Sequence, residues 1–485
     1  MESKLRFGLF LKILMLFVVS IVGSRLTGGY FMAGVVFLIL WAAMTRKNGW
    51  ALLGYVFLPV SFFLNPSVIG AGGWAPLIAR VGIMALPFAF AIQGLRIRSC
   101  MKVPVGAITG YMICAFISSS FGWFPMISYF KMINFILFIV GLKVGVQNLN
   151  GQGEEICLVR HGFLAIAFFI IVGSLLSYPF PDIGYSMEIA NARLWGAVGT
   201  DVEIGKNLVE RGGRILFSGL LNHSQVLAPM TTMLAMWVIL DLLFVMRGWS
   251  WIHGIILVFS PALLFMTRSR TGLFSLLIGL SFIVGYAMPR YHLPIMVKRR
   301  VKGLLLSAGL FLFVAAIIGE INSGMISRWV LKTDEIESVN VTMDEVVASR
   351  MGLVESNMRD FKLNPYIGKG FQTIENHKYA YQQGKISILS APIEKGVLPT
   401  MILGECGVVG AIMFFVFLFI FYGFFSKRGY FVTIVLFTTF LATNMGEASF
   451  FSPGGPGGLY WLIAIAGGMC IDQTARIRRQ YEPFF

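Results

Sequence analysis

The chain has 485 residues, of which 57% are hydrophobic and 13% charged, with a mean hydropathy of +0.78. Water-soluble domains carry about 25% charged residues, so this composition excludes a soluble globular protein and describes one solvated mainly by lipid. The net charge of +16 would suit nucleic acid on a soluble surface, but the two long polar segments 179–222 and 320–398 hold 13 basic and 15 acidic residues. The excess therefore sits in short connections between apolar runs, where membrane topology places it, and no nucleic-acid partner is expected.

Runs long and apolar enough to approach a transmembrane helix occur, in chain order, at Phe7 to Gly23, Gly29 to Met44, Gly49 to Leu64, Leu77 to Ile92, Pro104 to Ser119, Phe124 to Val146 and His161 to Tyr178. After the first long polar segment come His223 to Phe244, Ile252 to Thr267, Thr271 to Met288 and Lys302 to Gly319. After the second come Pro399 to Phe425, Tyr430 to Thr443 and Gly457 to Ile471. The predicted fold is thus an all-α, polytopic transmembrane helix bundle of about 14 spans, with a partly helical large extracytoplasmic loop. Its divisions are spans one to seven (1–178), a first long loop (179–222), spans eight to eleven (223–319), the large loop (320–398), and spans twelve to fourteen with a basic tail (399–485).

Basic clusters fix the expected orientation. Arg46-Lys47, then Arg96, Arg98 and Lys102, then Arg247, then Arg290 and Lys298 to Lys302, then Lys427-Arg428, then Arg476, Arg478 and Arg479 all follow even-numbered spans. The positive-inside rule places these connections and both termini in the cytoplasm, and both long loops outside. Lys4 and Arg6 ahead of an apolar core also suit a signal peptide, but no small-x-small cleavage site precedes Arg25, so an uncleaved first span is expected. None of the five cysteines falls in a long loop, which leaves no extracytoplasmic disulfide framework. The chain carries no GxxxxGK[ST], HExxH or GxSxG motif and no Cys/His spacing for a structural metal, so neither a metal nor a nucleotide cofactor is expected.

Charges that break the orientation rule mark candidate sites. Arg268 and Arg270 stand in the outer turn Met266-Thr-Arg-Ser-Arg-Thr-Gly272. They are either snorkelling headgroup anchors or a bidentate phosphate clamp helped by the N-terminus of span ten. Arg80 lies near the outer end of span four, with Lys131 in span six and Glu405 in the outer part of span twelve. Ionisable residues at such depth are commonly functional, though a structural pair is an equal explanation near a span end. In the large loop, Thr342-Met-Asp-Glu345 is a capping box, followed at helical spacing by Val346, Val347, Met351, Val354, Met358 and Phe361 until Asn364-Pro365. This predicts an amphipathic helix lying on the membrane or capping a cavity, with Arg350 and Arg359 on or beside its polar face.

Four segments in order resemble the O-antigen polymerase and O-antigen ligase family of polytopic membrane glycosyltransferases. They are Arg214-Ile-Leu-Phe-Ser-Gly-Leu-Leu-Asn-His-Ser-Gln225, Thr267-Arg-Ser-Arg-Thr-Gly-Leu-Phe274, Ser349-Arg350 through Asn364-Pro-Tyr-Ile-Gly-Lys-Gly-Phe371, and Glu394-Lys-Gly396 through Gly404-Glu-Cys-Gly-Val-Val-Gly410. Ligases of that family typically place a His-Asn pair eleven residues before the first glycine of the last motif. Here that register falls on Gly396, preceded by Glu394 and Lys395, and the departure favours the polymerase branch.

The resemblance implies transfer of a glycan from undecaprenyl pyrophosphate to an acceptor saccharide at the outer face of the bacterial inner membrane, with a chain-length regulator as a candidate partner protein. On that basis Arg270, supported by Arg268, Arg214, Arg350 and Arg80, is the expected pyrophosphate-binding set. Glu394 by register or His377 by chemistry is the expected general base for the acceptor hydroxyl. A ligase, or a transporter or flippase of lipid-linked oligosaccharide, is the alternative. Transporters commonly carry internal repeats, and none is visible in this sequence.

Overall fold

The computed structural model describes residues 7–69, 74–92, 101–149, 153–180, 183, 217–246, 250–267, 269–287, 299, 303, 343–373, 376–382 and 396–481. Among the described residues the protein is helical throughout, and its one extended pairing is an isolated bridge between Leu64 and Leu221. The helices are α1 (Phe7–Leu26), α2 (Tyr30–Met44), α3 (Asn48–Phe63), the single turn α4 (Pro66–Ile69), α5 (Ala75–Ile92), α6 (Thr109–Ser120), α7 (Pro125–Gln147) and α8 (Glu154–Leu176). They continue with α9 (Ser224–Phe244), α10 (Trp251–Met266), α11 (Arg270–Phe282), α12 (Met343–Leu363), α13 (Asn376–Gln382), α14 (Leu398–Lys427), α15 (Phe431–Thr443), α16 (Pro456–Trp461) and α17 (Gly468–Tyr481). Five of them, α1, α7, α8, α9 and α14, are long and apolar enough to cross a membrane, and seven shorter apolar segments accompany them. The eleventh predicted span, residue 303 apart, and most of the first long loop lie outside the described residues.

Two boundaries differ from those expected from hydropathy, for the same reason. Helix α8 begins at Glu154, not His161, because its charged first turns are used inside the fold. Glu155 accepts a hydrogen bond from the amide of Gly49 at 3.2 Å, and Arg160 is buried against Asp241 of α9. The last span likewise runs beyond Ile471, through a π-helical stretch at Leu462–Gly467, to Tyr481. There Asp472 accepts from the amides of Val432 and Thr433 at 3.0 Å each and from the Thr433 hydroxyl at 2.9 Å. That carboxylate satisfies donors at the start of α15 that its own backbone leaves open.

The bundle is apolar both inside and out. Helix α1 buries Phe10, Ile13, Phe17 and Ile21, and exposes Leu11, Met15, Val19 and Val22 on its other face. Such a helix needs lipid, not water, on its outer side. Helix α9 is the central post, with every residue buried except Gln225 and Phe244. Helix α11 approaches it on a small-residue stripe, Gly272, Ser275 and Gly279. An added Cβ at Gly279 would meet Thr439 Oγ1 at 2.4 Å and Met236 Cε at 2.5 Å. Small side chains here let backbones come close enough for dispersion to hold helices that have no hydrophobic drive to associate.

Long-range hydrogen bonds sort the helix ends into two sets. At one end Arg160, Asp241 and His253 join α8, α9 and α10, Tyr286 meets Ser426, and Asp472 caps α15. At the other, Asn222 meets Phe63, Leu398 meets Asn444, and Ser118 meets Gly370. Consecutive spanning helices therefore run antiparallel, and α12 with its following segment belongs to the second end.

Candidate functional site

The second end carries the site. Helix α12 packs across the start of α14, where Gly404 lies against the Asn357 backbone and Asn357 Nδ2 donates to Thr400 Oγ1 at 3.2 Å. A helix is thus present where the sequence predicts one, and it packs on the start of α14. Proline at 365 stops α12, and residues 364–373 then turn back into the bundle.

That return is sewn into a break in α14. Gly407 leaves helical geometry, with φ 64 and ψ −167, which frees carbonyls before it and amides after it. The loop satisfies both sets. The amides of Lys369 and Gly370 donate to the carbonyls of Gly404 and Glu405 at 3.0 and 3.1 Å, and the amide of Val408 donates to the Pro365 carbonyl at 2.8 Å. Irregular backbone buried inside a helix bundle persists only when its polar groups are satisfied in this way. Ser118 of α6 completes the joint, donating to the Glu405 carbonyl and accepting from the Gly370 amide at 3.0 Å. Phe371, fully buried, locks the loop into a cluster with Tyr111 and Phe451 at centroid distances of 6.4 and 5.3 Å.

The glycines of this joint are fixed by space and backbone conformation together. Gly368 has φ 83, and a Cβ on it would lie 2.3 Å from the Glu405 carbonyl carbon. A Gly368→Ala variant should therefore lose at least 2 to 3 kcal/mol, combining roughly 1–2 kcal/mol for left-handed backbone with the clash. Gly352→Ala on α12, where nothing lies within 4 Å, should be neutral or slightly stabilising. Thermal unfolding of the two variants in detergent checks the contrast; equal midpoints would mean that the joint contributes nothing.

Arg270 is the first residue of α11. Ser269 caps that helix, its hydroxyl accepting from the Gly272 amide at 3.4 Å, and Thr232 of α9 donates to the Gly272 carbonyl at 2.8 Å. Half-buried, Arg270 heads a groove of about 420 Å³ between α11 and the end of α15. The groove's polar end is Arg270, Thr271 and Gly446, and its length is apolar: Leu273, Phe274, Leu277, Ala442 and Met445. Phe274 and Leu277 are 57% and 41% exposed, so the groove is open along its apolar side. Asn444 ties down the turn that bears Met445 and Gly446, accepting from the Ser449 amide at 2.8 Å and donating to the Phe440 carbonyl at 2.8 Å.

Other charges surround the same end. The Arg80 guanidinium lies 5.1 Å from the Phe62 ring centroid, and its Nε is 3.5 Å from where a Cβ on Gly454 would stand. The Gly-rich turn after α15 and span four thus meet at Arg80. Lys131 donates to the Gln372 carbonyl at 3.5 Å, and Glu405 is buried inside the joint. Among the described residues no three His, Cys, Asp or Glu side chains group as metal ligands.

The remaining expected site residues are placed unevenly. Arg214, Arg268 and Glu394 lie outside the described residues, as do the side chains of Arg350 on α12 and His377 on α13. Gly396 has φ 69 and backs onto Leu353 of α12. No protein-family model matches the chain, and no curated protein is significantly similar to it. The groove partners Met445 and Gly446 carry no sequence signal, because they meet Arg270 only through the packing of α11 on α15.

Proposed function

We propose that the protein is a membrane glycosyltransferase that polymerises undecaprenyl-pyrophosphate-linked repeat units into a surface polysaccharide, on the outer face of the bacterial inner membrane. The observation that carries this reading is the groove headed by Arg270. A polyprenyl pyrophosphate is a long apolar chain ending in clustered negative charge. The groove offers the matching sequence of surfaces, apolar along its length and cationic at a helix N-terminus.

In this reading the Arg270 end faces the extracytoplasmic side and both termini are cytoplasmic, as the basic connections require. The acceptor hydroxyl attacks the anomeric carbon of the donor glycan. The C1–O bond breaks, and its electron pair leaves on the pyrophosphate. Arg270 holds the charge that develops there, with Arg80, Arg268, Arg214 and Arg350 as further cations of the set. Glu394 or His377 takes the hydroxyl proton. The lipid carrier supplies the activated bond, so the reaction draws on neither nucleotide nor metal. A ligase is disfavoured by the glycine at 396, which serves a turn.

The surface glycan of a host lacking the protein tests the reaction class. A polymerase predicts single repeat units attached to the usual acceptor. Long chains left unattached would mean a ligase, and repeat units accumulating on the cytoplasmic side would mean a transporter.

A further inference from the structure

The opposite end of α14 carries a second, independent constellation. Its last residue, Lys427, and the following Arg428 are both exposed, and Gly429, with φ 63, turns the chain into α15. Arg476 reaches the same turn from α17, its Nη2 3.7 Å from where a Cβ on Gly429 would stand. Both guanidiniums lie over rings: Arg428 at 3.8 Å from the Phe424 centroid and Arg476 at 4.3 Å from that of buried Tyr430. None of the three cations forms an ion pair among the described residues. Asp472, whose charge interacts with that of Arg476, directs both its oxygens to the amides of Val432 and Thr433. Cations at a helix C-terminus complement its dipole, but that role needs neither the stacking nor a third charge from another helix.

We propose that this turn is a headgroup site for an anionic phospholipid. Stacked guanidiniums are fixed before the ligand arrives and present their forks to phosphate oxygens, and clustered basic residues at a membrane boundary attract anionic lipid. The acyl chains also have a place. Ile412, Phe415 and Phe419 are 53%, 67% and 82% exposed and run along α14 toward Lys427. Gly423, one turn before Lys427, has open space above it. Lys427 continues the apolar stripe of α14, and Arg428 and Arg476 stand beside it at the turn, so a cationic head tops an apolar length, the complement of a phospholipid in profile. The site stands apart from the Arg270 groove and does not depend on the transfer reaction.

Native mass spectrometry of the detergent-purified full chain, titrated with phosphatidylglycerol and with phosphatidylcholine, tests this. Phosphatidylglycerol adducts should be retained preferentially, and Arg428→Gln combined with Arg476→Gln should weaken them about 30-fold, for two removed charges near a lipid surface. Lys47→Gln, an exposed cation in another turn at the same end, should change nothing. Because Arg476 covers a buried ring, Arg428→Gln alone is the safer variant, with an expected loss of about fivefold. Equal retention of the two lipids, unchanged binding in Arg428→Gln, or an equal loss in Lys47→Gln would overturn the site. Displacement of the lipid by an equal concentration of inorganic phosphate would assign the turn to a free anion and overturn the lipid as its ligand.

Discussion

Arg270→Ala should lower glycan transfer by about 100- to 1,000-fold at normal protein level. Removing one preorganised charge donor from a reacting centre costs roughly 3 to 4 kcal/mol of transition-state stabilisation. Its position makes the expectation specific. Arg270 follows the Ser269 cap, so its removal leaves the capping bond to Gly272 and the packing of Gly272 and Gly279 intact. Activity should then fall far more than stability, with transfer lost in a protein that still folds. Arg270→Lys should recover only part of the rate, because an ammonium cannot make the two parallel bonds of a guanidinium fork. A headgroup anchor behaves differently, since any cation snorkels equally well. Full activity in Arg270→Lys would assign the residue to anchoring, and near-normal polymer from Arg270→Ala would remove it from the reaction.

Asp241→Ala should destabilise the protein by about 3 to 5 kcal/mol, the usual cost of stripping one partner from a buried ion pair. Asp241 is fully buried and accepts from Arg160 Nε at 2.5 Å, Arg160 Nη2 at 3.1 Å and His253 Nε2 at 3.0 Å. It therefore holds three helices together where α8, α9 and α10 meet. Without it the Arg160 guanidinium is left as an uncompensated charge in an apolar interior. The combined variant Arg160→Met, Asp241→Leu removes both charges and keeps volume, so it should recover most of the loss. The midpoint of thermal unfolding in detergent reads both. A double variant as unstable as Asp241→Ala would mean that the polar contacts themselves, not charge balance, hold the junction. In either case transfer per folded molecule should be little affected, because this junction lies at the opposite helix ends from Arg270.

How much of this was legible in the sequence follows from the range of the forces involved. Hydropathy located the apolar helices, because burial in lipid is a property of each run by itself. The start of α8 was misjudged by about two turns because Glu155 and Arg160 look like loop charges until Gly49 and Asp241 arrive from other helices. The Asp241 junction was missed altogether, though an Asp, a His and an Arg near matching span ends are a signal that such charges must be paired. Gly368, Gly370 and Gly407 stood in recognisable motifs, but their purpose did not: a helix break and the loop that satisfies it are separated by a whole turn of the chain's path. The groove was invisible for the same reason. Its second wall, Ala442, Met445 and Gly446, is contributed by α15 and the turn after it, and nothing local to Arg270 foretells that partner.

The most direct test of the account uses purified protein in detergent with a single lipid-pyrophosphate-linked repeat unit, in the presence of a chelator and without nucleotide. Gel separation of the glycans should show a ladder of lengthened chains still attached to lipid pyrophosphate, with free polyprenyl pyrophosphate released in step, and Arg270→Ala should abolish the ladder. Repeat units that stay single with wild-type protein, or lengthening that returns only when magnesium or nucleotide is added, would contradict it.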